Sequence, residues 1–368
     1  LASHRSVLGI FAEDCGPLHF YEKCLPFKLH PITSEFDIKL KNDTWDIMSS
    51  CTKAEYKSDN RPNKCKSQNA ICTYRDLKTG VETTGECEVR RKGSSTWRDM
   101  DSKPSFKIKK FKNGENLINF GDYNCGNNCP PNMEKNVWTT NKVTLQNQVT
   151  GDGEIDAYNV FRNFIAAPLA VQTRVRLFID DNMFRQDAYV LLETIDDKAF
   201  LKKWFGETAI LYELDNDSNE HIAKFERYIG EEQNIIDLYN ITQCPEVDDQ
   251  DKCIEGVLEK DVQNLKSVLD IPLNEMDRRN ILHYYAGEVA TNHHDAVCSE
   301  QKSNTYIVFN GSKYFYVPSG TDETYECPER RRLLGWANEE PGCLSISQCF
   351  EEDGCKREYD EVLAKVEA

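Results

Sequence analysis

The sequence lacks an apolar run long enough to cross a bilayer. Its longest, such as Phe164 to Val171 with Pro168 inside it, fall far short of the roughly 20 residues a spanning helix needs. That predicts a soluble chain and leaves anchoring open. Cys-x-x-Cys pairs are missing too, and only His293 and His294 lie near a cysteine, so the close spacing of a structural zinc site is not there. No Asp-x-Asp-x-Asp-Gly loop points to calcium, and there is no internal repeat or low-complexity tract. Positive charge is scarce, with 45 Lys and Arg against 62 Asp and Glu, a net charge of -17. This argues against nucleic acid or heparin as partners, because no broad basic patch offsets the repulsion. Local clusters such as Lys107-Lys109-Lys110 and Arg330-Arg331-Arg332 suffice for a single phosphate group.

Cysteine, by contrast, is plentiful. Fifteen of the 368 residues are Cys, in three groups between Cys15 and Cys355. Without zinc spacing they predict disulfides and an oxidising compartment. The odd number leaves one thiol free or bridged to another chain. Four glycosylation sequons, at Asn42, Asn216, Asn240 and Asn310, point to the same compartment. A hydrophobic content of 39% with a mean hydropathy of -0.64 describes a folded chain with much surface. Export to the secretory lumen, the cell surface or the medium follows.

Periodicity gives the elements. Phe36-Asp37-Ile38-Lys39-Leu40 is a short β-like piece in the cysteine-rich first 75 residues. Cys87 to Arg90 and Ser105 to Lys109 alternate as strands around a turn at Lys92-Gly93-Ser94-Ser95. Tyr158, Phe161, Phe164 and Ile165 recur at helical spacing over residues 156–167. Arg174 to Ile179 and Ala188 to Leu192 read as strands around Asp180-Asp181-Asn182, and Ala199 to Phe205 as a helix. Helical patterning then dominates from Glu255 to Ala290. A hairpin follows, Thr305 to Phe309 with Tyr314 to Val317, joined through Asn310-Gly311, a type I′ signal. A small cysteine cluster and a short helix close the chain. This order is α+β and is compatible with two lobes.

Some polar residues stand where a fold does not require them. Lys103 and Lys107 are four apart in an extended stretch, which predicts one side for both, opposite Phe106 and Ile108. Such lysines either meet a phosphate or form the basic solvent face of an edge strand. Asp295, Asn304 and Asp322 flank the late hairpin. A carboxylate, a carboxamide and a second carboxylate are what phosphoryl transfer uses for the hydroxyl proton and for magnesium. The same residue types also serve as ordinary turn residues.

Four blocks in order resemble the spore-coat CotH family. Arg91-Lys92-Gly93-Ser94-Ser95-Thr96-Trp97 with Lys103-Pro104-Ser105-Phe106-Lys107-Ile108-Lys109 is similar to that family's signature. Phe161-Arg162-Asn163 resembles its helix with an Arg-Asn pair. Tyr189-Val190-Leu191-Leu192-Glu193-Thr194-Ile195-Asp196 is similar to its Tyr-x-Leu-x-Glu-x-Ile-Asp block. Pro318-Ser319-Gly320-Thr321-Asp322-Glu323-Thr324 resembles its Asp-x-Asp ending, with Gly320 in place of the first Asp.

The resemblance covers about residues 88 to 326 and implies an atypical protein-kinase-like, two-lobed α+β fold with disulfide-rich N- and C-terminal additions. The segments would be 1–84 (cysteine-rich), 85–330 (kinase-like, lobes of about 85–195 and about 196–330) and 331–368 (cysteine-rich tail). It implies an ATP- and Mg2+- or Mn2+-dependent Ser/Thr kinase acting on hydroxyls of secreted or surface proteins. On this resemblance Lys103 or Lys107 meets the nucleotide phosphates and Glu193 lies at a hinge beside the adenine. Asp295 is the catalytic acid/base, and Asn304 and Asp322 are metal ligands. The other reading is a catalytically inactive surface adhesin that engages a host or cell-surface receptor.

Overall fold

The computed structural model describes residues 31–41, 43–58, 60–93, 97–112, 118–120, 138–147, 153–164, 172–184, 188–206, 209–214, 225–229, 271–291, 293, 305–320 and 343–367. Its first elements are strands β1 (Ser34–Leu40), β2 (Gln68–Asp76), β3 (Glu82–Lys92) and β4 (Ser105–Lys112), with helices α1 (Thr44–Ser49) and α2 (Lys53–Lys57) between β1 and β2. The short strands β5 (Ile118–Asn119) and β6 (Thr139–Thr140) pair with each other. After them come β7 (Val143–Gln146), helix α3 (Gly153–Phe164), β8 (Gln172–Ile179), β9 (Asn182–Met183), β10 (Tyr189–Glu193) and helix α4 (Lys198–Phe205).

The chain does not adopt the expected two-lobed, kinase-like α+β fold. Seven strands close into a mixed barrel in the order β1-β2-β3-β4-β7-β10-β8, and β8 returns to β1. The closing ladder is parallel, running from Ser34↔Val175 to Ile38↔Ile179; the other ladders are antiparallel. The expectation failed because it set the cysteine-rich segment outside the sheet. That segment supplies β1 and β2, and β1 takes the edge of β8 that an open first lobe would leave unpaired.

Register identifies the inward residues. Phe36 faces Tyr74 and Leu177, Val89 faces Ile108, and Phe106 faces Leu145, which faces Leu191. All are buried, so the barrel is filled by side chains and holds no channel. The Cys72–Cys87 disulfide joins β2 to β3, and Cys51–Cys65 ties down the α1–α2 segment. Among the described residues no cysteine is free. A bulge at Lys110, with φ 55°, inserts one extra residue in β4 and returns Phe111 to the core. The β8–β9 turn is the primed type, with Asp180 and Asp181 at φ 51° and 62°.

A second sheet, in the order β12 (Phe225–Ile229), β11 (Ile210–Leu214), β13 (Thr305–Phe309), β14 (Tyr314–Pro318), packs beside the barrel. Leu211, Val308 and Val317 belong to the barrel's core, while Tyr212, Ile307 and Tyr316 face a second core. Helices α5 (Arg278–Thr291), α6 (Leu344–Glu351) and α7 (Asp353–Glu367) build that second core, and Cys349–Cys355 clips α6 to α7. The edge of β14 is covered by the buried Asn280, whose side chain accepts from Tyr316 N at 2.7 Å and donates to Tyr316 O at 3.0 Å. The β13–β14 connection is not the expected two-residue turn. Asn310 to Lys313 form it, with Asn310 Oδ1 accepting from the backbone of Ser312 and Lys313 and only Gly311 at positive φ. Among the described residues no helix is long and apolar enough to cross a membrane.

Leu191 is fully buried where the inward rows of β7, β8 and β10 meet. Leu191→Ala should cost about 2–5 kcal/mol of unfolding free energy in urea titration. Val81→Ala, at a 40% exposed position, should stay within about 0.5 kcal/mol.

Candidate functional site

The strongest departure from a plain core lies on the outer face of β4. Lys107 alternates with the inward Phe106 and Ile108, so it points out of the barrel, yet it is only 9% exposed. β4 is not an edge strand, since β3 and β7 flank it. The cover comes from the chain after β10. Ile195 packs into the core, Asp197 caps α4 by accepting from Ala199 N, and Asp196 is thereby held against the sheet.

Asp196 is the hub of the site. Its side chain is 1% exposed; Oδ2 is 2.9 Å from Lys107 Nζ and Oδ1 is 2.9 Å from Lys142 Nζ. Lys142 also donates to the Asp196 carbonyl. Two ammonium groups share one carboxylate in a poorly hydrated place, with the carboxylate of Asp197 next to them. Burial pushes the Lys107 amine down to about 8, opposed by Asp196 and reinforced by Lys142 and Lys92. Burial likewise raises the Asp197 carboxyl above the usual range. Beside these charges, Thr194 Oγ1 and Asp197 Oδ2 are buried without a hydrogen-bond partner.

Glu193 sits at the end of a barrel strand, not between two lobes. Its carboxylate accepts from Trp138 Nε1 at 2.8 Å and from Lys203, whose ammonium lies 4.7 Å from the Trp138 ring centroid. Register turns Glu193 inward and Lys107 outward. Lys103 precedes β4, so strand alternation does not extend to it; its ammonium lies 5.3 Å from the Tyr189 ring centroid. The structure therefore does not gather Lys103, Lys107 and Glu193 at one point. Asp295, Asn304 and Asp322 lie outside the described residues.

One contact bears on the segments that carry them. His293 and Glu288 are both fully buried, with Nδ1 2.5 Å from Glu288 Oε2 and Nε2 3.1 Å from the Gly320 carbonyl. Both ring nitrogens face acceptors, whereas a neutral imidazole carries one N–H. This contact ties the chain after α5 to the chain after β14, two residues before Asp295 and two before Asp322.

Sequence reasoning does not single out Lys142, Asp196, Asp197 or the Glu288–His293 pair as site components. A signal existed in Asp196-Asp197, two adjacent carboxylates directly after the apolar strand of β10. Lys107 suits a phosphate oxygen, since an ammonium has three N–H donors and Asp196 accepts one. Among the described residues no three His, Cys, Asp or Glu side chains come together to hold a metal ion. No protein-family model matches the chain, and no curated protein is similar to it in sequence.

The lowered Lys107 amine sets a pH dependence with a definite sign. Between pH about 8 and about 10.4 the unfolded chain keeps this proton while the folded chain has released it. Stability therefore rises with pH through that window, by at most about 1.4 kcal/mol per pH unit from this group. Urea unfolding across pH 7 to 10.5 should show that rise in the wild type and a flatter profile in Lys107→Met; equal slopes would refute the assignment.

Proposed function

We propose that this chain is a secreted ATP-dependent phosphotransferase acting on hydroxyl groups of secreted or surface proteins, built on the closed barrel described above. The observation that carries the reading is the buried cluster of Lys107, Lys142 and Asp196, with unpartnered Thr194 Oγ1 and Asp197 Oδ2 beside it. An ammonium held in a poorly hydrated site favours a multiply charged phosphate more than it would in water. The order of the four motif blocks supports the same chemistry, and disulfides together with sequons support the secretory compartment.

ATP, when bound, supplies the γ-phosphoryl group. Lys107 donates to its phosphate oxygens while Asp196 fixes the lysine side chain in place. Thr194 Oγ1 adds a neutral donor, and Asp197, whose carboxyl burial holds above the usual range, lies beside it. By the family resemblance Asp295 accepts the proton of the acceptor hydroxyl, and Asn304 with Asp322 would hold magnesium or manganese. The His293–Gly320 contact supports this part, because it links the two segments that bear both carboxylates.

Thermal unfolding with ATP and either metal tests the reading. Ligand at a hundred times its dissociation constant stabilises the folded state by about 2.7 kcal/mol. Wild type should shift only when ATP and metal are both present, and Lys107→Met and Asp322→Ala should not shift. No shift of the wild type at millimolar ATP with either metal refutes the phosphotransferase and leaves the binding-protein reading.

A further inference from the structure

The chain is acidic as a whole, yet two segments reverse the sign, with Glu55 against Lys64 and Asp99 beside Arg91 as acidic members among the cations. Residues 53–66 and 90–99 carry nine Lys and Arg against three Asp and Glu, in a molecule of net charge -17. The first segment is α2 and the loop closed by the Cys51–Cys65 disulfide; the second is the end of β3 and the residues after it. Sequence alone separates them, but the fold brings them into contact. The ring centroids of Tyr56 and Trp97 are 5.0 Å apart.

Arginine side chains gather at these two rings. The Arg61 guanidinium lies 4.3 Å from the Tyr56 centroid, and its Nε donates to Tyr56 O at 2.7 Å, which fixes it there. Arg90 lies 5.6 Å from the same ring, and Arg91 lies 4.0 Å from the Trp97 ring. Arg91 is the internal post of the arrangement, donating to the carbonyls of Met48, Cys51 and Arg98. Arg61, Lys92, Trp97 and Arg98 are half-buried at the surface, and Lys53, Lys57 and Lys66 are exposed around them.

We propose that this face binds a sulfated polysaccharide. The disulfide and the ring contacts hold its arginines in place before any ligand arrives, which lowers the ordering cost of binding. A guanidinium lying on an aromatic ring is already dehydrated on one side. Such a weakly hydrated cation pairs best with a weakly hydrated anion, and a sulfate half-ester fits that description better than a carboxylate. The guanidinium fork also offers two parallel N–H bonds to a tetrahedral oxyanion. This distinguishes a sulfated glycan from an acidic peptide, whose carboxylates shed water less readily. The repulsion expected from net charge is local in range, since screening cuts it off within about 8 Å at physiological salt. The inference does not rest on the nucleotide reading, although Lys92 also acts on the Lys107 amine.

The test is salt elution of the full-length chain from immobilised heparin, beside an unsulfated dextran resin and with polyglutamate as competitor. Wild type should be held by the sulfated resin at low salt, pass the unsulfated one, and resist polyglutamate. Arg61→Glu with Lys92→Glu should weaken binding by about tenfold or more, equivalent to about 1.4 kcal/mol. A matched reversal of exposed lysines elsewhere, Lys78→Glu with Lys365→Glu, should stay near wild type. If the first pair lowers the melting temperature, Arg61→Gln with Lys66→Gln decides instead. Flow-through of the wild type, equal loss in the control pair, or displacement by polyglutamate as effective as by free heparin would each overturn the proposal; the last would make an acidic protein the partner.

Discussion

The parallel ladder between Ser34–Ile38 and Val175–Ile179 is the constraint on which the rest of the molecule depends. It joins strands about 140 residues apart, and a connection of that length carries a closure cost that grows only slowly with loop size. In return it removes the two free edges that β1 and β8 would otherwise present. Once β1 and β8 pair, the inward rows of seven strands face one another and fill a single core. Asp180, at the end of β8, fastens the seam by accepting from Leu40 N at 2.8 Å, and Glu35 does so through Arg75 and Arg176, each at 2.9 Å. The exposed ion pairs add little by themselves; the shared core and the backbone bonds hold the closure.

Closure also decides the environment of the outward rows. A strand in a closed barrel has one face inside and one outside, so Lys107, opposite Phe106, must lie outside. The chain after β10 folds back to that face, where Asp196 meets the buried Lys107. A buried ammonium is stable only with a carboxylate and hydrogen bonds around it, and apolar residues of similar volume often do as well or better. Asp196 meets that need for Lys107 and for Lys142 together. Apolar residues could fill the same place, so stability alone does not account for the two lysines there.

Much of the local structure was legible from residue patterns. The strands at Phe36, Cys87, Ser105, Arg174 and Ala188, the helix around Tyr158 and Phe161, the helix from Ala199 and the late hairpin all recur in the structure. These follow from alternation and helical spacing, which are properties of neighbouring residues. Closure is not such a property. β2 was unread because its inward residues Ala70, Cys72 and Tyr74 are a small residue, a half-cystine and a phenol, a weak hydrophobic signal inside a segment dominated by cysteines. The hairpin loop was misjudged because Asn310-Gly311 fits a two-residue turn, whereas Asn310 prefers to bond the backbone of Ser312 and Lys313 with its own side chain.

At the site the same division holds. Lys107 was legible as a polar residue out of place in a β pattern, but its partner was not, because Asp196 reaches it from 89 residues away. Glu193 was legible as a residue of consequence, yet its carboxylate is engaged at the barrel end by Trp138 and Lys203, which periodicity cannot foresee. The buried charges and the apolar rows give opposite instructions to the fold. In sequences selected for folding, such conflicts are rare and concentrate where a chain has work besides folding. Lys107 with Asp196 and Glu288 with His293 are two such conflicts. One lies on the barrel and the other joins the second sheet to α5. That conflict is the physical ground for looking at these two pairs, before the barrel itself, for the chemistry of the molecule.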